Sequence, residues 1–169
     1  MKLTLHRVSK LRYAQQDALD EHGYGAARYG SRWNSLDPDL RFNRRIVYAS
    51  DTLAQAMLEV IVHVDGQVLH TVPHGHVLFE VDDAYLAELQ PSELPSEWNA
   101  HPETAATQMS GDQWYDEQVS AVLRVPSAVL PVEDYGPSHA NYLINALHPR
   151  IDEAVRLLAV RPLPFDPRL

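Results

Sequence analysis

The chain has 169 residues, 45% of them apolar and 22% charged, which fits one folded domain and argues against a disordered or fibrous protein. It contains no cysteine, which excludes disulfides, zinc–thiolate sites and thiol catalysis. Fourteen Lys and Arg against 23 Asp and Glu leave a formal charge of −9, a balance that repels nucleic-acid phosphates and suits a basic partner. No apolar run approaches the ~20 residues of a membrane span, and MKLTLHRVSK lacks the apolar stretch of a secretory signal, so the expectation is a cytoplasmic protein.

Alternating apolar and polar residues predict a first strand over Leu3–Val8. Gly23, Gly25 and Gly30 then punctuate an irregular stretch that leads into Ser31-Arg32-Trp33-Asn34, and Ile46–Ser50 reads as a second strand. Thr52-Leu53-Ala54-Gln55 has the form of a capping box opening a helix over Leu53–Val64. A strand is expected at His76–Val81, a short helix at Asp83–Leu89, and a surface loop between Pro91 and Pro102. Asp112 is expected to cap a helix reaching Leu123. Strands at Ser127–Val132, Asn141–Asn145 and Val155–Val160, with a helical turn at Pro149–Ala154, complete the chain. Short strands with two substantial helices and no βαβ rhythm predict a compact α+β domain.

The helix at 53–64 carries the most chemical information. Leu53, Met57, Leu58, Val60, Ile61, Val62 and Val64 cover nearly its whole circumference, the pattern of a buried helix. Gln55, Glu59 and His63 form a single polar line at intervals of four. That line is either a solvated edge, with Glu59 available to pair with a core Arg, or a carboxylate held among apolar neighbours for binding or catalysis. Arg32 beside Trp33 offers a planar fork for phosphate or carboxylate next to a stacking face; an Arg–Glu bridge beside a core Trp is the alternative. His63, His70, His74 and His76 lie close in sequence and raise the question of a metal-dependent hydrolase, but their spacing fits no zinc motif. Ser127 lacks the G-x-S-x-G setting of a hydrolase nucleophile, and neither Rossmann nor P-loop glycine patterns occur.

In order along the chain, Gly25-Ala26-Ala27-Arg28-Tyr29-Gly30-Ser31-Arg32-Trp33-Asn34, Val47–Ser50, Ala56-Met57-Leu58-Glu59-Val60 with His63, Val125–Val129, Asn141–Asn145, His148-Pro149 and Phe165–Leu169 resemble the RES-domain family, toxins of bacterial toxin–antitoxin pairs. Ser31 stands where that family usually has a second Gly, and Pro137–Ala140 looks like a small insertion. The resemblance implies one RES domain over residues 1–169 with an ADP-ribosyltransferase-like fold. It also implies cleavage of NAD⁺, as substrate and not as a resident cofactor, at the nicotinamide–ribose bond, by hydrolysis, phosphorolysis or ADP-ribosyl transfer. Glu59 would face the developing oxocarbenium ion or grip the ribose, and Arg32 would hold pyrophosphate or ribose. Tyr48 would orient the nicotinamide end, and Ser127 would add a hydroxyl contact. Arg7, on the first strand, would grip substrate, whereas Asn141 reads as structural. No metal is implied. The expected partners are a helix-turn-helix antitoxin of the Xre type and a second copy of the toxin. A non-catalytic nucleotide- or protein-binding domain is the main alternative function.

Overall fold

The computed structural model describes residues 1–169. Its chain order is β1 (Lys2–Lys10), three short helices α1 (Leu11–Ala14), α2 (Leu19–His22) and α3 (Tyr24–Tyr29), then β2 (Ile46–Ser50) and α4 (Leu53–Ile61). Next come α5 (Gly66–Thr71), β3 (His74–Asp82), β4 (Leu86–Glu88), α6 (Ala105–Asp116) and β5 (Val122–Pro126). The chain closes with β6 (Ala140–Asn145), α7 (Ile151–Ala154) and β7 (Val155–Leu163). The strands form one sheet in the order β4-β5-β6-β2-β1-β3-β7, antiparallel throughout except for the β4–β5 pair. This is the expected α+β class. No helix is long and apolar enough to cross a membrane.

The sheet is nearly divided in two. β1 pairs with β3 from Lys2↔Asp82 to Lys10↔His74, and β2 pairs with β6 from Ile46↔Asn145 to Ser50↔Asn141. Between β1 and β2, in contrast, the register holds only at His6↔Ser50, beyond which the strands part. Across the gap the Arg7 guanidinium donates from Nη1 to the Tyr48 carbonyl at 2.9 Å. A side chain thus supplies a hydrogen bond that the missing ladder does not.

Both faces of the β2–β6–β5 half are covered, in keeping with the two-residue period of strands. Val47, Ala49, Val122, Tyr142 and Ile144 join Leu5, Val77, Phe79 and Val81 in one core. The intervening Ile46, Leu123, Val125 and Leu143 pack with Trp33, Trp98, Trp114 and Tyr115 in another. Truncating one such side chain to Ala costs about 2–5 kcal/mol. Helix α6 lies so close to the 31–34 segment that a Cβ on Gly111 would meet the Trp33 carbonyl oxygen at 1.8 Å, which only glycine avoids.

Several expectations are corrected. The 23–30 stretch is largely helical: Gly25 lies within α3, and Gly30, with φ of +73°, closes it. Asp83–Leu89 is a single 3₁₀ turn followed by β4. Helix α6 starts at Ala105 under Thr104, whose hydroxyl accepts from the Thr107 amide, and ends at Asp116. Asp112 therefore lies inside the helix, where it accepts from the Ser35 amide and pairs with Arg44. The strand near Ser127 is Val122–Pro126, and Ser127 itself turns the chain by accepting from the Val129 amide at 3.1 Å. Helix α4 ends at Ile61, and it is not buried all round: Ala54 within it is exposed, as is Val62 just past its end.

Candidate active site

Two cavities share Glu59 in their linings. The outer, of about 320 Å³, is lined by Arg32, Tyr48, Glu59, His63, Glu103 and Asn141 among others. The inner, of about 130 Å³, opens where β1 and β2 part and is lined by His6, Arg7, Tyr48, Ser50, Glu59 and Asn141 among others. Glu59, Tyr48 and Asn141 belong to both. The outer volume alone lies within the ~300–1,000 Å³ of small-molecule sites.

Glu59 reaches both cavities because of the way α4 starts. The Thr52 hydroxyl accepts the Gln55 amide at 3.1 Å, the expected cap. The Gln55 side chain does not return to complete a capping box. It lies 4% exposed and donates to Glu59 Oε1 at 3.2 Å. The polar line thus faces inward at Gln55 and Glu59, and the solvated-edge reading is set aside. The same Oε1 accepts from Ser127 Oγ and from Asn141 Nδ2, each at 2.6 Å. Three donors from three chain segments therefore fix one carboxylate oxygen, while Oε2 accepts nothing from the chain. Glu59 makes no ion pair, so it is not the acid of a structural Arg–Glu bridge. Ser127, 2% exposed, is committed to this contact.

Arg32 follows Gly30, whose φ of +73° is the left-handed geometry that favours glycine. Its Nη1 donates to the carbonyls of Trp98 (2.8 Å) and Ala100 (2.9 Å), tying down the 98–100 segment. The alternative of an Arg–Glu bridge is not realised. The rest of the guanidinium makes no hydrogen bond within the chain and lies at the outer cavity. Trp33 stacks on Trp98 with ring centroids 6.3 Å apart and belongs to the core. The Tyr48 hydroxyl donates to Asn34 Oδ1 at 2.7 Å and accepts from the Trp33 amide at 3.3 Å. Burial raises its pKa, so it stays a neutral donor.

Arg7 is the cation of the inner cavity. Beyond Tyr48, its Nη2 donates to the His22 carbonyl at 3.4 Å, Nε is buried without a partner, and no carboxylate pairs with it. Burial pulls its pKa down to about 10. Such a charge is well placed to attract an anionic ligand.

The four clustered histidines disperse. His63 is exposed with Nδ1 on the Glu59 carbonyl, His70 lies on a separate groove, and His74 packs edge-on against Phe165. His76 stacks on His6, with Nε2 2.9 Å from His6 Nδ1. No three His, Asp or Glu groups converge as a metal would require, which removes the basis of the metal-hydrolase reading. Arg7, Arg32, Tyr48, Glu59 and Ser127 do come together around the two cavities. The sequence reading of Asn141 as structural overlooks that it bonds Glu59 directly. Sequence reasoning also missed Ser50, whose hydroxyl donates to Asn141 Oδ1 at 2.8 Å and so keeps the amide nitrogen turned toward Glu59. The available signal was register: Ser50 and Asn141 are opposite each other on β2 and β6.

A family model described as the RES domain matches residues 4–166. Among curated relatives, "Toxin Res" of Yersinia enterocolitica is 32% identical over 170 residues, covering 99% of each chain. The "Prs ADP-ribosylating toxin" of a Sphingobium strain is 34% identical over 158 residues, covering 90% of this chain and 88% of its own. Among solved structures, a chain of the Mycobacterium tuberculosis MbcT–MbcA toxin–antitoxin complex superposes with a TM-score of 0.69 at 18% identity, over 96% of this chain and 85% of that one. The α+β fold of the sequence expectation stands on that likeness.

Proposed function

The chain belongs to the RES domain family, and we propose that it is the toxin of a toxin–antitoxin pair and acts by cleaving NAD⁺ at the nicotinamide–ribose bond. The observation that carries the chemistry is the carboxylate of Glu59, held by three donors on one oxygen and open on the other, with a guanidinium on either side. Loss of nicotinamide builds positive charge on the ribose, and a fixed carboxylate opposing that charge needs no reorganisation as the bond breaks. The negative pyrophosphate finds Arg32 on one side of Glu59 and Arg7 on the other. Tyr48, common to both cavities and with its hydroxyl proton held by Asn34, offers its ring to orient the nicotinamide end. NAD⁺ is substrate here, and the reaction uses the chain's own side chains.

The names of the Yersinia and Sphingobium relatives, one of them called ADP-ribosylating, support an enzymatic toxin. The toxin–antitoxin complex among similar structures supports an antitoxin partner. We assign that partner to the Xre helix-turn-helix type, place the pair in the cytoplasm, and expect the toxin to dimerise. A charge of −9 draws such a DNA-binding, basic protein at long range.

The test is release of nicotinamide from NAD⁺ by the purified protein, compared with Glu59→Gln. The Gln oxygen can keep the three donors while its amide replaces Oε2, so the variant should fold and bind NAD⁺. Removing the charge should lower kcat by ~10²–10³ or more. NAD⁺ binding without any release by the wild type would favour a non-catalytic nucleotide-binding domain. In cells, expression should arrest growth and lower NAD⁺, and the cognate antitoxin should reverse both.

A further inference from the structure

We propose that His63 is the base that takes the proton from the acceptor, and hence that the acceptor at this site is a protic oxygen, water or a hydroxyl; the proposal rests on the NAD⁺ reading. His63 follows Glu59 by one helical turn on the same face. Helix α4 is ending there: the His63 amide bonds the Val60 carbonyl, which leaves the Glu59 carbonyl without its backbone partner. The imidazole takes it, with Nδ1 2.7 Å from the Glu59 oxygen. A carbonyl has no proton to give, so Nδ1 carries the hydrogen and the neutral ring presents Nε2 as a lone pair. That nitrogen has no partner in the chain, and the ring lines the same outer cavity as Glu59 and Arg32.

The other titratable groups of that cavity are less suited. Glu59 is clamped opposite the developing charge. The Tyr48 hydroxyl is spent on Asn34 and is hard to ionise. His101 and Glu103 line the cavity from the loop before α6, with no hydrogen bond fixing either ring or carboxylate relative to Glu59. His63 alone has a tautomer set by the catalytic residue's own backbone. In the step itself, the C1′–nitrogen bond breaks with its electron pair passing to the nicotinamide ring, which leaves neutral. The acceptor oxygen bonds C1′, and its proton passes to His63 Nε2 and then to solvent.

The experiment follows nicotinamide release by wild type and His63→Gln with NAD⁺, in buffer and with added sodium azide. Azide is an anion with no proton to lose, so it needs no base. In buffer the variant should turn over ~10²–10⁴-fold more slowly. Its KM for NAD⁺ should stay within about threefold of wild type. Azide should restore release and yield the glycosyl azide. If azide fails to restore a slowed variant, or if the variant is not slowed in buffer, His63 is only a helix cap and the proposal is overturned. A wild type that releases no nicotinamide overturns the NAD⁺ reading, and this proposal with it. Should His63→Gln melt early, His63→Ala with added imidazole repeats the test: rescue supports the base, and its absence refutes it.

Discussion

Asn141→Asp probes the Glu59 clamp with almost no change in shape. Its Nδ2 lies 2.6 Å from Glu59 Oε1, and its Oδ1 accepts from Ser50. The substitution keeps the Ser50 bond and puts a carboxylate oxygen where the donor was. Two full charges at that distance repel by roughly 6 kcal/mol at an effective dielectric of ~20. That is about four pH units' worth of proton affinity. The pair therefore shares one proton near neutrality, as adjacent carboxylates do. Glu59 then no longer offers a dependable negative charge to the ribose, although Ser127 and Gln55 still hold it. We expect a melting temperature close to wild type, nicotinamide release lowered ~10²-fold or more at pH 7, and partial recovery toward pH 9 as the shared proton leaves. Asn141→Ala is the companion. It deletes the donor and leaves the Ser50 hydroxyl without its acceptor, at about 1–3 kcal/mol of stability. An Asn141→Asp protein that folds and cleaves NAD⁺ at the wild-type rate at pH 7 would refute the assignment of Asn141 to the clamp.

Arg32→Lys retains the charge, but one ammonium cannot satisfy the Trp98 and Ala100 carbonyls and still present a planar face to the cavity. Both the melting temperature and NAD⁺ affinity should fall, and a variant unchanged in both would leave Arg32 without the two roles assigned to it. Burial, the leading cause in each case, holds His6, His22, His74 and His76 below the ordinary imidazole value. The unfolded chain takes up these protons first as the pH drops, so stability is at its full value well above pH ~6.5 and is lost progressively below it. Urea midpoints should be lower at pH 5.5 than at 7.5, and His74→Phe should lessen the drop; an equal or higher midpoint at pH 5.5 would contradict this account.

What the sequence made legible was local. Alternation marks β1 within a few residues, and strand-like runs mark β2 at its bounds and β3, β6 and β7 within a few residues. Each is hydrogen-bonded to at least one neighbour, with alternate residues packed into cores. The misplaced elements are those where a polar side chain works at long range. Asp112 mimics an N-cap because a carboxylate ahead of apolar residues has that look, yet its partners, Ser35 and Arg44, lie some 70 residues away. Ser127 was read into a strand because apolar residues follow it; its hydroxyl serves a turn and Glu59 instead.

The site was half legible for the same reason. Arg7, Arg32, Tyr48, Glu59 and Ser127 stood out by residue type and family resemblance, and all five line or support the two cavities. Asn141 reads as structural instead, because an Asn inside a strand shows no chemistry until its cross-strand neighbour is known, and Ser50 is 91 residues away. The parting of β1 from β2, which makes the inner cavity and leaves Arg7 to bridge it, has no signature in either strand. Helix α4 shows the limit most clearly. Its apolar circumference predicts burial, whereas its most deeply buried residues are Gln55 and Ala56, with Val62 out in solvent. Amphipathicity assumes that the inside is apolar. Here Ala56 packs inward on Val8, Leu69 and Phe165, and beside that apolar contact the line of Gln55 and Glu59 turns toward the two cavities, so polarity within an apolar helix points to the site itself.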